Sequence, residues 1–356
     1  MGKHKIKMMM REVVSRSLWH TGLWRLVDRL TPRRFTILAG HCVVDPAVNA
    51  DLPSDMKISG ERLEMLLRVL GRRFRFVTVG EGWRSMRAED DERSLVALSM
   101  DDGYRDNHTA LLPLLERTGA RATVFLESRP LTHRRVNWSH KYFWMLQAGG
   151  LQPTDLATRL WDRMGGDLGE RCQAAVEQPE GAAYRLKRIL KYDVDALARD
   201  AAIHAEFLEA GGSESDLCNR IYVDLEEAET MRDAGIELGG HTVRHEVLST
   251  LSPTEQVREV ADGRSATVEL LGDEVGVSFA YPFGRRWDFD EHSVAAVRAA
   301  GFESAVTTHA GTNLKGADPM RLARWMLDET TPIHHLVAEA CGGFWLFRKL
   351  GLELAE

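Results

Sequence analysis

The chain is sparing with cysteine. It has four in 356 residues, and Cys42, Cys172, Cys218 and Cys341 lie too far apart for the paired spacing of a zinc ribbon or a redox dithiol. They read as buried free thiols, and nothing in them calls for an oxidising compartment. Long apolar runs are missing too, so no segment is predicted to span a bilayer. The first ten residues carry Lys3, Lys5 and Lys7 but meet Arg11 and Glu12 before a signal-length apolar stretch develops, which makes a cytoplasmic protein the expectation. Basic excess is also lacking. A net charge of -7 and a pI near 6.0 exclude a general nucleic-acid binder. Internal repeats and low-complexity segments are absent from the sequence.

What is present is material for a core, with 44% hydrophobic residues. Segment 1–34 is basic, and Leu18, Leu23, Trp24, Val27 and Leu30 recur at helical spacing. It reads either as a helix packed on the domain or as an amphipathic helix on an anionic membrane surface. Segment 331–356, with Phe344, Trp345, Leu346, Leu350 and Leu352, reads as an amphipathic C-terminal helix with the same two readings.

Between these ends, over 35–330, strand-like runs alternate with helical patterns, the signature of an α/β barrel or a doubly wound sheet. Strands are predicted over 35–40, 95–100, 122–126, 236–239, 277–281 and 304–307, and helices over 59–70, 109–118, 225–234, 253–271 and 290–300. The stretch 129–222 breaks the alternation. It is charged and helical in pattern, and reads as an insertion that shapes access to one barrel face.

The apolar run over 95–100 ends in Asp101-Asp102-Gly103-Tyr104. Adjacent carboxylates oppose each other's ionisation unless a cation or donor divides their tasks, and a bound divalent metal does so. A surface turn capping the following helix explains the pair equally well. Downstream, Ile236-Glu237-Leu238-Gly239-Gly240 leads into His241-Thr242-Val243-Arg244-His245. On a helical turn, imidazoles at i and i+4 share a face and chelate one ion. With Asp102 they would supply protein ligands and leave positions open for water and substrate, as a catalytic site requires. Taken singly, His108, His140 and His204 read as surface or core residues.

These segments resemble the first two motifs of the polysaccharide deacetylase family, the carbohydrate esterases of the chitooligosaccharide deacetylase type. The third motif is matched by Phe279-Ala280-Tyr281-Pro282-Phe283-Gly284, and Gly301-Phe302-Glu303-Ser304-Ala305-Val306-Thr307-Thr308 follows. The resemblance runs from about residue 35 to 324 and implies a distorted, incomplete barrel of parallel strands and helices. It implies Asp101 as general base, and Asp102, His241 and His245 as ligands of a divalent metal, zinc first, with cobalt, nickel, manganese or iron as alternatives. Tyr281, Pro282 and Phe283 would line the substrate groove.

The sequence departs from the family at two helpers. Ala280 stands where an Arg normally orients the base, and Leu322-Ala323-Arg324 stands where a Leu-x-His motif supplies the general acid. An Arg is a poor proton donor near neutral pH. Arg324 is therefore expected to bind substrate or to orient Asp101, with Arg285 as another replacement for the missing Arg. His309 is the nearest acid candidate in sequence, and His41 reads as either a rim residue or a packed strand end. Asp106 and Asn107 are expected to fix the turn after the carboxylates.

The resulting expectation is an enzyme removing an N-acetyl group from an amino sugar in a polysaccharide, oligosaccharide or lipid-linked precursor. O-deacetylation, hydrolysis of another non-peptide amide, and a non-catalytic carbohydrate-binding barrel are the alternatives. The expected partners are an acetylated carbohydrate and, through the N-terminus, the membrane surface, with no nucleic acid.

Overall fold

The computed structural model describes residues 3–88, 94–272 and 276–349, with side chains from residue 9 on. In chain order the strands are β1 (Arg34–Gly40), β2 (Cys42–Val43), β3 (Lys57–Ile58), β4 (Arg75–Phe76), β5 (Leu95–Met100), β6 (Ala122–Leu126), β7 (Glu237–Gly240), β8 (Ser278–Ala280), β9 (Ser304–Val306), β10 (Asn313–Leu314) and β11 (Arg324–Met326). The main sheet runs β10-β1-β5-β6-β7-β8-β9, with β11 also on β1 and β4 on β5, while β2 and β3 form a separate small sheet. The β1, β5, β6, β7, β8 and β9 pairings are parallel. Residues just before β11 bridge to β9 through Val306↔Leu322, and β11 pairs β1 in register Ile37↔Arg324, so the sheet curls round to meet itself. This is a distorted, incomplete (β/α) barrel rather than a doubly wound sheet.

Alternation along the strands sorts the core into layers. Leu95 and Ala97 of β5 join Phe35, Ile37, Phe125, Ala280, Val306 and Leu322 in one cluster. Their neighbours Val96, Leu98 and Met100 pack with Leu38, Val124 and Leu238 in another, shared with the helices outside. By the same period of two, Ser99 and Asp101 belong to the face of Leu95 and Ala97.

Between β6 and β7 the chain leaves the barrel through seven helices, Ser128–His133, Trp138–Gln147, Pro153–Met164, Gly166–Val176, Ala182–Tyr192, Ala196–Glu209 and Glu214–Ile221. They carry their own core, including Tyr142, Leu156, Leu160, Leu186, Ile203 and Phe207, joined by Tyr104 from the first motif. Tyr104↔Tyr222 is an antiparallel bridge tying the two parts together.

The N-terminal helix Lys3–Thr21 packs on the domain, with Met10, Val14 and Leu18 against Ala338 and Phe344. The next helix, Trp24–Leu30, buries Trp24 but leaves Leu23, Leu26 and Leu30 exposed. The C-terminal segment forms two helices rather than one, Ile333–Ala340 and Gly343–Lys349. They part at Gly342, where φ is +82° and a side chain would run into the Arg34 guanidinium. The expectation over 350–356, Leu350 and Leu352 included, lies outside the described residues. All four cysteines are free and buried. Among the described residues, no helix is long and apolar enough to cross a membrane.

Candidate active site

β5 delivers Asp101 and Asp102 to the carboxyl end of the barrel, and β7, two strands over with β6 between, delivers His241 and His245. The backbone there is unusual. Asp102, Thr242, His245 and Phe283 all adopt positive φ (74°, 64°, 59° and 61°), and elsewhere only Arg134 does so among described non-glycine residues. Left-handed backbone costs a non-glycine residue about 1–3 kcal/mol, most for a β-branched one such as Thr242, and such strain gathers where side-chain placement serves function. Residues 241–245 do not form the helical turn that the i, i+4 spacing suggests. The left-handed kinks at Thr242 and His245, fixed by the His245 amide donating to Thr242 Oγ1 at 3.0 Å, bring the imidazoles together instead.

Asp102 Oδ1 lies 3.2 Å from the Nε2 atoms of both His241 and His245, and all three residues are buried. Yet Asp102 Oδ1 and His241 Nε2 have no hydrogen-bond partner. Buried polar atoms without partners are costly, and three donor atoms facing one point without bonding to each other fit a shared cation. The shells behind them are complete. His241 Nδ1 is 2.7 Å from the Ala280 carbonyl, a contact that assigns its proton to Nδ1 and leaves Nε2 free to ligate. Tyr104 donates to Asp102 Oδ2 at 2.7 Å and lies 2.5 Å from His140 Nε2, whose Nδ1 is 2.9 Å from the Tyr222 hydroxyl. Burial pushes His140 down to about 3, so its ring is neutral, with Nδ1 2.7 Å from the Asn137 side-chain carbonyl on the side away from Tyr104. Burial and the Asp102 charge together push the buried Glu127 up to about 8, and its Oε1 holds Asn137 at 2.7 Å.

Asp101 is anchored by Arg324. Nη1 meets Oδ1 at 2.7 Å and Nη2 meets Oδ2 at 2.8 Å, while Nε donates to the Thr307 carbonyl at 2.8 Å. Burial opposes ionisation of Asp101, but Arg324 outweighs it and holds the carboxyl below its usual value. The expected substrate-binding role of Arg324 is corrected here. Its side chain is fully buried and its fork is filled by Asp101, so it fixes the orientation of that carboxylate and is closed off from any ligand. Ala280 sits in the same interior cluster as Phe125 and Val306, and the Arg324 guanidinium lies 5.9 Å from the Phe125 ring. Arginine is thus supplied to the interior from β11 instead of β8.

Tyr281 is also corrected. Its ring is buried and stacked on Phe289 at 4.1 Å, so it belongs to the core and its side chain lines no groove. Pro282 is buried, whereas Phe283 is half-buried with its ring 4.7 Å from that of His245. His309 lies beside Arg324, its carbonyl accepting from the Arg324 amide at 2.9 Å, and its ring is 6.2 Å from Phe289 with Nε2 buried and unpartnered, while Arg285 is exposed with its guanidinium over Trp287. His41 is half-buried near Asp101 and Asp102, lowering both carboxyls. Asp106 and Asn107 fix the turn, Asp106 by accepting from the Val43 amide at 2.8 Å and Asn49 at 2.9 Å, Asn107 by donating to the His41 carbonyl at 3.1 Å.

Tyr104, His140 and Glu127 were missed from sequence. Tyr104 adjoins the Asp-Asp motif and Glu127 directly follows β6, so a strand-end position was a signal for each; His140 comes into place only through the insertion's packing.

A family model described as polysaccharide deacetylase matches residues 88–150 and 201–305. Over 86 residues the chain is 29% identical to YxkH of Bacillus subtilis (strain 168), named for the same family, a match covering 24% of this chain and 29% of that protein. Among solved structures, the deacetylase PplD of Streptococcus pyogenes, in complex with acetate, superposes with a TM-score of 0.56 at 15% identity, covering 87% of this chain and 99% of that one. IcaB from Ammonifex degensii gives a TM-score of 0.53 at 16% identity over 87% and 98% of the two chains. At those identities the likeness is one of fold. The family match includes all three motifs in order and omits the middle of the insertion and Arg324; on that match, the chain belongs to the polysaccharide deacetylase family.

Proposed function

We propose that the chain is a metal-dependent hydrolase that removes an N-acetyl group from an amino sugar in a polysaccharide, oligosaccharide or lipid-linked glycan. The observation carrying this reading is the juxtaposition of unpartnered Asp102 Oδ1 and His241 Nε2, with His245 beside them, and an Arg324-held carboxylate on the adjacent residue. Asp102, His241 and His245 would hold the ion, and two imidazoles with one carboxylate suit zinc. When bound, the ion would polarise the acetyl carbonyl and acidify a water.

Asp101, ionised and clamped in one orientation, takes the proton from the attacking water. Arg324 keeps it from turning away or from being neutralised by burial. Tyr104 holds the outer oxygen of Asp102, so that only Oδ1 faces the ligand position. Of the backbone amides in Tyr281-Pro282-Phe283, that of Tyr281 is engaged by the Val306 carbonyl at 3.3 Å and Pro282 has none, which leaves the Phe283 N–H as the candidate oxyanion donor. The Arg324 clamp favours an enzyme over a binding barrel that has lost its chemistry, because holding a base in one orientation serves no purpose in binding.

Acetate release from N-acetylated and O-acetylated oligosaccharides tests this reading. The wild type should act on an N-acetylated substrate, chelation should abolish the activity, and readdition of zinc should restore it. Activity confined to O-acetyl groups would transfer the assignment to an O-deacetylase.

We further propose that the protein is cytoplasmic and touches an anionic membrane through Leu23, Leu26 and Leu30, which stand exposed beside the exposed Arg25 and Arg29. Cosedimentation with phosphatidylglycerol vesicles that is unaffected by replacing the three leucines with serine would remove this contact.

A further inference from the structure

The proposed hydrolysis needs a proton for the departing amine, and none of the residues considered so far supplies it. Arg324 is bound on both edges of its fork by Asp101 and Thr307. His140 has both ring nitrogens occupied, by Tyr104 on one side and by Asn137 and Tyr222 on the other. His309 faces Phe289. His41 follows β1, whose Gly40 pairs with Met100 of β5 and accepts from the Asp101 amide at 3.0 Å, so it stands beside Asp101 on the base's own side of the site. An acid must reach the leaving nitrogen while the base reaches the water, and these lie on different sides of the carbonyl carbon.

The insertion supplies a further group. On the helix Ala182–Tyr192, Lys187 and Lys191 are one turn apart and share a face. Lys191 docks that face on the loop of the third motif. Its Nζ lies 3.3 Å from Asp288 Oδ1 and 3.3 Å from the centre of the Phe283 ring, which in turn abuts His245. One turn back, Lys187 has its Nζ 4.1 Å over the Phe143 ring, and among the described residues no carboxylate forms an ion pair with it. It is close enough to the ligand set for its charge to disfavour protonation of His245 and His140, and for the charge of Asp102 to favour its own. An amine without a carboxylate partner among the described residues, half-buried on a helix whose next turn touches Phe283 beside His245, is available as a proton donor.

We propose that Lys187, delivered by the insertion, is the general acid that replaces the histidine missing at Arg324. The assignment rests on the deacetylase reading above. In the step it performs, the C–N bond of the tetrahedral intermediate breaks with both electrons passing to nitrogen, and the Lys187 ammonium gives that nitrogen a proton. The products are the free sugar amine and acetic acid; the neutral Lys187 is reprotonated through solvent by the proton that Asp101 took from water. Burial pushes Lys187 down to about 8, which brings its proton within reach of an amine near neutral pH and predicts that turnover falls above that value.

Two probes test the step in the full-length, metal-loaded protein: an N-acetylglucosamine tetramer, whose amine needs a proton, and p-nitrophenyl acetate, whose phenolate leaves without one. Lys187→Met should lower kcat on the tetramer by roughly 10²–10⁴-fold and flatten the alkaline limb of its pH profile, while ester hydrolysis stays near wild type and reports an intact fold and metal site. Lys187→Arg, which keeps the charge but cannot donate, should be as poor as the Met variant on the tetramer. Rescue by Arg, an equal loss on both probes, a rise in KM at unchanged kcat, or the same split between probes in His41→Gln but not Lys187→Met would each overturn the assignment. A wild type inert on both probes would sink the deacetylase reading itself, and the assignment with it.

Discussion

Among the described residues, two clusters join a carboxylate to two imidazoles, Asp102 with His241 and His245, and Glu12 with His334 and His335. In composition they are the same. The first is buried, stands on left-handed backbone and leaves Asp102 Oδ1 and His241 Nε2 without hydrogen bonds. The second is half-exposed and its donors are satisfied: Glu12 accepts from His335 at 2.8 Å and His334 at 3.2 Å, and Arg16 pairs with it as well. These contacts pull Glu12 down to about 2. One cluster has unmet bonding capacity that something else must fill; the other already does a job, clasping the N-terminal helix to the helix Ile333–Ala340. Residue types alone do not distinguish a ligand set from a clasp, but burial together with unpartnered atoms does.

The contrast breaks most sharply with His241→Ala. Loss of one of three ligands should remove bound zinc and take deacetylation to background, measured by metal analysis and acetate release, whereas Glu12→Gln should leave zinc content unchanged. Equal metal loss in both variants would erase the distinction.

Next in size is Arg324→Met, which leaves Asp101 as an uncompensated buried carboxylate. A loss of about 3–5 kcal/mol in denaturant unfolding is expected. The sign of the pH effect follows from the clamp. Arg324 holds the Asp101 pKa down against burial, so without it the pKa rises, and the acid limb of kcat/KM should move to higher pH. An acid limb that stays in place would mean that Arg324 does not govern the base.

Tyr104→Phe should weaken zinc affinity by about 10–100-fold, since it frees Asp102 Oδ2 to rotate, while stability changes less. Competition with a zinc chelator reads this out. The smallest effect expected is that of Glu12→Gln on stability, about 1 kcal/mol or less for an exposed pair, seen as faster proteolysis of the N-terminal helix.

Much of the barrel was legible because strand runs such as Leu95–Met100 and Ala122–Leu126 are continuous apolar segments closed by polar turns, and both appear where periodicity put them. The His241-x-x-x-His245 spacing singled out two imidazoles that do come together, but through a different local geometry, since a loop strained at Thr242 and His245, not a helix, joins them. Tyr281 misled because an aromatic in a motif reads as a groove residue, whereas strand alternation continued past β8 turns its ring onto Phe289. Arg324 was ambiguous because nothing local records its partner, 223 positions earlier in the chain.

By itself the sequence determined the order of strands, the carboxylates at the end of β5 and the imidazoles after β7, because those depend on runs and spacings of a few residues. Tertiary structure alone decided which arginine clamps Asp101 and which lysine of the insertion comes within charge range of Asp102 and His245. The physical reason is closure. Only when β11 returns to β1 and the insertion folds over the strand ends do residues far apart in sequence come within hydrogen-bonding or charge range, and no local pattern encodes that approach.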